Sequence, residues 1–200
     1  MLQYFCLTLG ELSTNCYVLW DEQTKKALIL DPADDAVAIS EEIRIRGLNV
    51  KGILSTHGHY DHLLGAYDLQ LMYRVPFYAN SEDMFLINRI NHTARFFSKR
   101  NMDMAEKLKI QIDLSDVAEL KLGQSRITVL KTPGHTPGSV CFYCPDDKLL
   151  FTGDTLTKNG HGSTAHKYSS RDDIKKSIRM IQSFPIGTLI LAGHEDEFLL

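Results

Sequence analysis

One pattern constrains the fold of this chain more than any other: apolar runs of strand character stop, and a side chain able to bind a metal follows. "ILST" leads to His57, "ITVLKTPG" to His135, "LLFTG" to Asp154 and "LILAG" to His194. Four strand ends are therefore expected to converge on one edge. The densest of these places is "STHGHYDHLLGA", residues 55–66, with three histidines and an aspartate between positions 57 and 62. His57 and His59, two apart, point the same way in an extended segment. Asp61 and His62, at a helix entrance, turn to a second direction, so one short turn can supply two neighbouring metals. Imidazole nitrogen and carboxylate oxygen are ligands for zinc and similar divalent ions when a rigid scaffold holds several of them together.

The scaffold reads as α/β. "LQYFCLTL", "NCYVLW" and "KALILDP" have the aromatic and branched composition of strands, with "DEQTK" as a hairpin connection. "DDAVAISEEIRIRG" has helical spacing with Gly47 past its end, and "NVKGILST" returns to strand. A helix is expected through "DHLLGAYDLQLMYR", a short strand at "PFYA" and a helical excursion over residues 81–109. "RITVLKT", "SVCFYC", "KLLFTG" and "TLILAG" follow as strands, with "RDDIKKSIRMIQSF" as a further helix. Strands and helices in two successive halves suggest two sheets packed face to face with helices outside.

Composition narrows the function. Two hundred residues, 44% hydrophobic and 24% charged, can bury a real core, and one domain over residues 1–200 is expected. A net charge of -3 provides no general attraction for nucleic acid or anionic lipid, so a small-molecule substrate is the expected partner. The first 20 residues lack a basic leader and a continuous apolar stretch, which points to a cytoplasmic protein that does not enter a membrane. Alternation in "SVCFYC" puts Cys141 and Cys144 on opposite faces, where they cannot pair.

"THGHYDH" is an H-x-H-x-D-H signature, and "TPGHTPGS", "FTGDTL" and "AGHE" follow it in order. With these elements the chain resembles the metallo-β-lactamase fold superfamily from "NCYVL" to His194. The resemblance implies a four-layered αβ/βα sandwich of two mixed β-sheets with helices on the outside and the site at one edge. It also implies that His57, His59 and His135 hold a first metal, that Asp61, His62 and His194 hold a second, and that Asp154 bridges them. The implied cofactors are two divalent ions, zinc first, with iron also suited to these donors. Two such cations, roughly 3.5 to 4 Å apart, make hydroxide available near neutral pH and stabilise the oxyanion formed when it attacks a carbonyl. Asp61 would then be both ligand and the catalytic group that orients the nucleophile. No G-x-S-x-G elbow offers a serine alternative.

"TPGHTPGSVCFY" and "LLFTGDTL" look most like the small, single-domain glyoxalase II-like branch, whose members hydrolyse acyl thioesters of glutathione. The chain departs from that branch at three points. Thr157 stands where G-D-T-L is usually followed by phenylalanine, and Ser163 where a basic residue contacts substrate. No helical C-terminal domain is expected after His194. Lys167 and Tyr168 either replace the missing base or form an exposed loop, and His161 falls close enough to Asp154 to line the pocket. The alternatives are a mononuclear-iron persulfide dioxygenase, which shares these motifs, and a lactonase or other esterase. In the excursion, Arg89, Arg95, Lys99 and Arg100 could offer cations to an anionic substrate. The favoured reading makes Phe85, Ile87, Ile90, Phe96 and Phe97 a packed face with the bases solvated.

Overall fold

The computed structural model describes residues 1–98 and 108–200. Its first sheet is built from β1 (Leu2–Leu9), β2 (Thr14–Asp21), β3 (Lys26–Leu30), β4 (Asn49–Leu54), β5 (Phe77–Ala79) and β6 (Ile112–Asp113), in that order. The β1, β2 and β3 pairings are antiparallel and those from β3 to β6 parallel, so the sheet is mixed. The second sheet runs β12 (Phe198–Leu199), β11 (Leu189–Ala192), β10 (Leu149–Gly153), β9 (Val140–Cys144), β8 (Ser125–Lys131), β7 (Glu119–Leu122). Here only β10 and β11 are parallel.

Period-two alternation divides each strand between two cores. Leu28 and Leu30 of β3 meet Val129, Phe142, Phe151 and Leu191 between the sheets. Ala27 and Ile29 of the same strand face outward, against Ile39 and Ile43 of α1 (Ala36–Ile45) and Leu69 of α2 (Ala66–Tyr73). On the far side, Cys141, Leu150 and Ile190 pack on Ile181 of α5 (Arg171–Gln182). The result is the four-layered sandwich of two mixed sheets between helices. Cys141 lies under α5 and Cys144 between the sheets, on opposite faces as their spacing requires.

The helices follow their local chemistry. Asp35 caps α1 by accepting from the Ala38 amide at 3.0 Å, and Ser170 caps α5 by accepting from Asp173 at 3.2 Å. The helix expected to begin at Asp61 begins only at Ala66. Residues Tyr60–His62 form a single 3-10 turn, because the amides of Leu64 and Gly65 bond to the carbonyls of Ala33 and Pro32 in the loop after β3. That tether turns Asp61 and His62 toward the sheet edge.

The excursion is broken too. A 3-10 turn, Ser81–Asp83, precedes α3 (Met84–Ile87) and α4 (Ile90–Ser98), and residues 108–110 are not helical. Lys99 and Arg100 lie outside the described residues. Ile87 and Ile90 are buried as a packed face requires, but Phe85, Phe96 and Phe97 are 40%, 72% and 61% exposed and do not belong to it. Among the described residues no helix is long and apolar enough to cross a membrane.

Phe142 is fully buried between the sheets. Phe142→Ala is expected to lower unfolding free energy by about 3–5 kcal/mol, read from the midpoint of urea denaturation at unchanged m-value.

Candidate metal centre

Sheet direction brings the polar residues together. β4 delivers His57 and His59 from the first sheet, while β8, β10 and β11 of the second end before His135, Asp154 and His194. Main-chain bonds lock these loops together: Val140 N to Thr56 O and Asn15 N to Gly193 O across the two sheets, and Gly193 N to Gly153 O between the ends of β11 and β10, each 2.8 Å. Glycine is needed at two of the crossings. A Cβ on Gly193 would stand 2.7 Å from both Asp154 Oδ1 and His62 Cε1, and one on Gly153, at φ +50°, 2.4 Å from Thr56 Oγ1.

All seven ligand-type residues read from the sequence meet, in two sets. In the first, His59 Nδ1 lies 3.1 Å from His57 Nε2 and 3.0 Å from His135 Nε2, and Asp154 Oδ2 is 3.3 Å from His135 Nε2. In the second, Asp61 Oδ2 is 3.6 Å from His62 Nε2 and 3.4 Å from His194 Nε2. Asp154 Oδ1 completes this set, 3.5 Å from His62 Nε2 and 3.6 Å from His194 Nε2. His62 Nε2 and Asp154 Oδ1 are buried with no hydrogen-bond partner. Buried polar atoms without partners are uncommon and unfavourable, and divalent cations between the two sets would satisfy both. The donors therefore fit such ions.

Each of the five imidazoles has its outward nitrogen engaged, which leaves the other facing the centre. His62 Nδ1 donates to Asp31 Oδ2 at 3.0 Å, His135 Nδ1 to the Ser163 carbonyl at 2.9 Å and His194 Nδ1 to the Leu12 carbonyl at 3.1 Å. Thr56 Oγ1 donates to Asp31 Oδ2 at 2.6 Å and so accepts from His57 Nδ1 at 3.0 Å. His59 is reversed: Nδ1 faces inward and Nε2 donates to Tyr168 Oη at 2.9 Å.

The two sets differ electrostatically. Burial first, then neighbouring imidazoles, drives His57 well below its ordinary value and His59 to about 3, so both offer lone pairs. Burial also lowers His135. At His62 burial acts the same way, but Asp61, Asp31 and Asp154 outweigh it and hold a proton there. His194 is likewise raised, burial being overcome by Asp61 and Asp154. Burial raises the Asp61 carboxyl, yet the charge of His62 and the hydrogen bond of His194 prevail and leave it at about 2.

Among the residues read as substrate contacts, Tyr168 is held on His59 and stacked on His166, their rings 5.0 Å apart and nearly parallel. His161 is exposed, its Nδ1 2.7 Å from the Gly162 carbonyl, and Lys167 is exposed on the same loop. Sequence reasoning missed Asp31, which orients His62 and, through Thr56, His57. The signal was present, since Asp31 follows the apolar run "ALIL" as the other ligands follow theirs. It missed Asp83 also, which accepts from Gly58 N and Gly138 N, both at 2.8 Å, and from Thr136 Oγ1 at 2.6 Å. Nothing in the sequence marks that residue.

Comparison with known proteins agrees with this architecture. The metallo-beta-lactamase superfamily model matches residues 9–194. Hydroxyacylglutathione hydrolase GloC of Haemophilus influenzae is 33% identical over 183 residues, 90% of this chain and 84% of that protein. The crystal structure of BLEG-1 B3 metallo-beta-lactamase superposes with a TM-score of 0.90 at 27% identity, covering 98% of this chain and 94% of that one. That of TTHA1623 in a di-iron-bound form gives 0.85 at 26%, with the same coverage.

Removing an outward partner should loosen the ligand it holds. Asp31→Asn is expected to weaken binding of a cation at the set Asp61, His62 and His194, and Tyr168→Phe binding at the set His57, His59 and His135, each by about 10- to 100-fold in chelator competition. Because neighbouring carboxylates raise His62 and His194 toward the protonated form, their set should release more protons on cation loading and lose affinity more steeply as pH falls. The set of already neutral imidazoles should release fewer, a difference read by calorimetry in buffers of unlike ionisation enthalpy.

Proposed function

The chain belongs to the metallo-beta-lactamase superfamily, and from that premise we propose that it is a dinuclear metal hydrolase attacking the acyl carbonyl of a small-molecule thioester or ester, with zinc as its metal. The observation that carries this reading is the division of Asp154, Oδ2 toward the first set of imidazoles and Oδ1 toward the second. One carboxylate would thus be shared by two adjacent cations. When bound, two divalent cations supply hydroxide near neutral pH and stabilise the oxyanion of the tetrahedral intermediate.

The chain's own residues do the rest. Asp61 stays ionised, with Thr14 Oγ1 donating to its Oδ2 at 3.0 Å, and so is an acceptor for the proton of the attacking water. His57, His62 and His135 are buried and close the centre from behind, while His59, Asp61 and His194 are partly exposed and mark the side from which substrate enters. No thiol competes as nucleophile. Burial pushes Cys141 and Cys144 up to about 12 and Cys6 to about 11, so none is a thiolate at neutral pH.

A thioester is favoured by the likeness to a hydroxyacylglutathione hydrolase, and zinc by imidazole and carboxylate donors in sets of this size. Iron satisfies the same donors, and TTHA1623 was solved with two irons.

Elemental mass spectrometry on protein purified without chelators is expected to find about two metals per chain. About one iron per chain, with oxygen consumed on a persulfide substrate, would replace hydrolysis by oxidation. Asp61→Ala should lower turnover of an acyl thioester by about 10²- to 10⁴-fold while the thermal midpoint moves little, since this residue stands at the rim. Hydrolysis retained by that variant would defeat the role given to Asp61.

A further inference from the structure

Beside the open side of the centre the surface carries exposed aromatic and apolar side chains. Phe97 stacks on Tyr60, with centroids 6.0 Å apart and planes 5° from parallel, and Phe96 meets Phe97 edge-on at 5.0 Å. Isolated exposed apolar residues require no explanation. These are contiguous, and Tyr60 is the chain neighbour of both His59 and Asp61. Tyr60 also lines a cleft with Leu12, which is 52% exposed, and with Asp61. The cleft has room for little more than one water, about 10 Å³, so a bound group must lie across its rim.

We infer that the substrate presents an apolar group, aromatic or medium-chain aliphatic, which lies across Phe96, Phe97, Tyr60 and Leu12 while its carbonyl reaches the metal centre. This rests on the hydrolase reading and sharpens it: the acyl compound accepted best carries an apolar group rather than a short hydroxyacyl one. Any group attached to a carbonyl at the centre that extends toward α4 passes over these rings, and covering them removes apolar surface from water on both sides.

The test compares two hydroxamates that share a metal-binding head and differ only in their tails. Binding of acetohydroxamate and octanohydroxamate to the metal-loaded protein is measured by calorimetry. Octanohydroxamate is expected to bind at least about tenfold more tightly, and the gap should shrink to about threefold or less in Phe97→Ser. It should persist in Ile186→Ser, an equally exposed apolar position (90%) in the turn before β11. Equal affinities for the two compounds, or a gap that survives Phe97→Ser, would overturn the inference. Failure of the hydrolase reading shows differently, as no turnover of acyl thioesters by protein carrying two cations, and leaves the ranking of the hydroxamates intact.

Discussion

The carboxylate of Asp154 is the contact on which the rest of this structure depends. It is nearly out of water, with a side-chain exposure of 11%, and each of its oxygens faces a different group of imidazoles. Burying a carboxylate is unfavourable unless positive charge stands beside it. Here Asp31 and Asp61 add two more acidic groups around His62. Without a cation, a proton held on His62 offsets part of that charge. Divalent cations offset more of it and satisfy the two buried atoms that have no hydrogen-bond partner. The layers of the sandwich thus hold, at one edge, an arrangement that the protein atoms alone do not neutralise.

Such an arrangement persists only on a rigid support. The outward nitrogens are held by Asp31, Thr56, Leu12 and, from the loop between β10 and α5, Ser163 and Tyr168, so no ring can turn without breaking a bond elsewhere. Asp83 performs the same service for the main chain. It joins the loop after β4, through Gly58, to the loop after β8, through Thr136 and Gly138. A Cβ on Gly58 would approach the Asp83 Cβ to 2.9 Å, and one on Gly138 its Cγ to 2.7 Å. Burial lifts the Asp83 carboxyl above its ordinary value, though its three donors oppose the shift. The helical excursion thus touches the site in two ways, its first turn clamping the loops after β4 and β8 and α4 setting Phe97 against Tyr60, the chain neighbour of Asp61.

Much of this could be read from residue order. Long strands such as β2, β3 and β10 declare themselves by composition, and α1 and α5 by spacing and caps, because these signals are local. The strands not read, β6, β7 and β12, span two to four residues and pair at or near sheet edges. That is too short for alternation to register. The helix misplaced at Asp61 failed for another reason: propensity favoured a helix there, but the carbonyls of Pro32 and Ala33, far away in sequence, captured two of its amides.

By itself the sequence determined the strand and helix order that suggests two packed sheets with helices outside, and its ordered motifs carried the resemblance that implied the fold and all seven ligand-type residues, since these depend on side-chain type and spacing along one segment. Only the tertiary structure decided which nitrogen of each imidazole faces inward, that Asp31 and Asp83 support the centre, that Tyr168 holds His59, and that Phe96 and Phe97 are left exposed beside it. Those outcomes depend on atoms from segments tens of residues apart meeting within about 3 Å, and no local pattern encodes the distance between two loops.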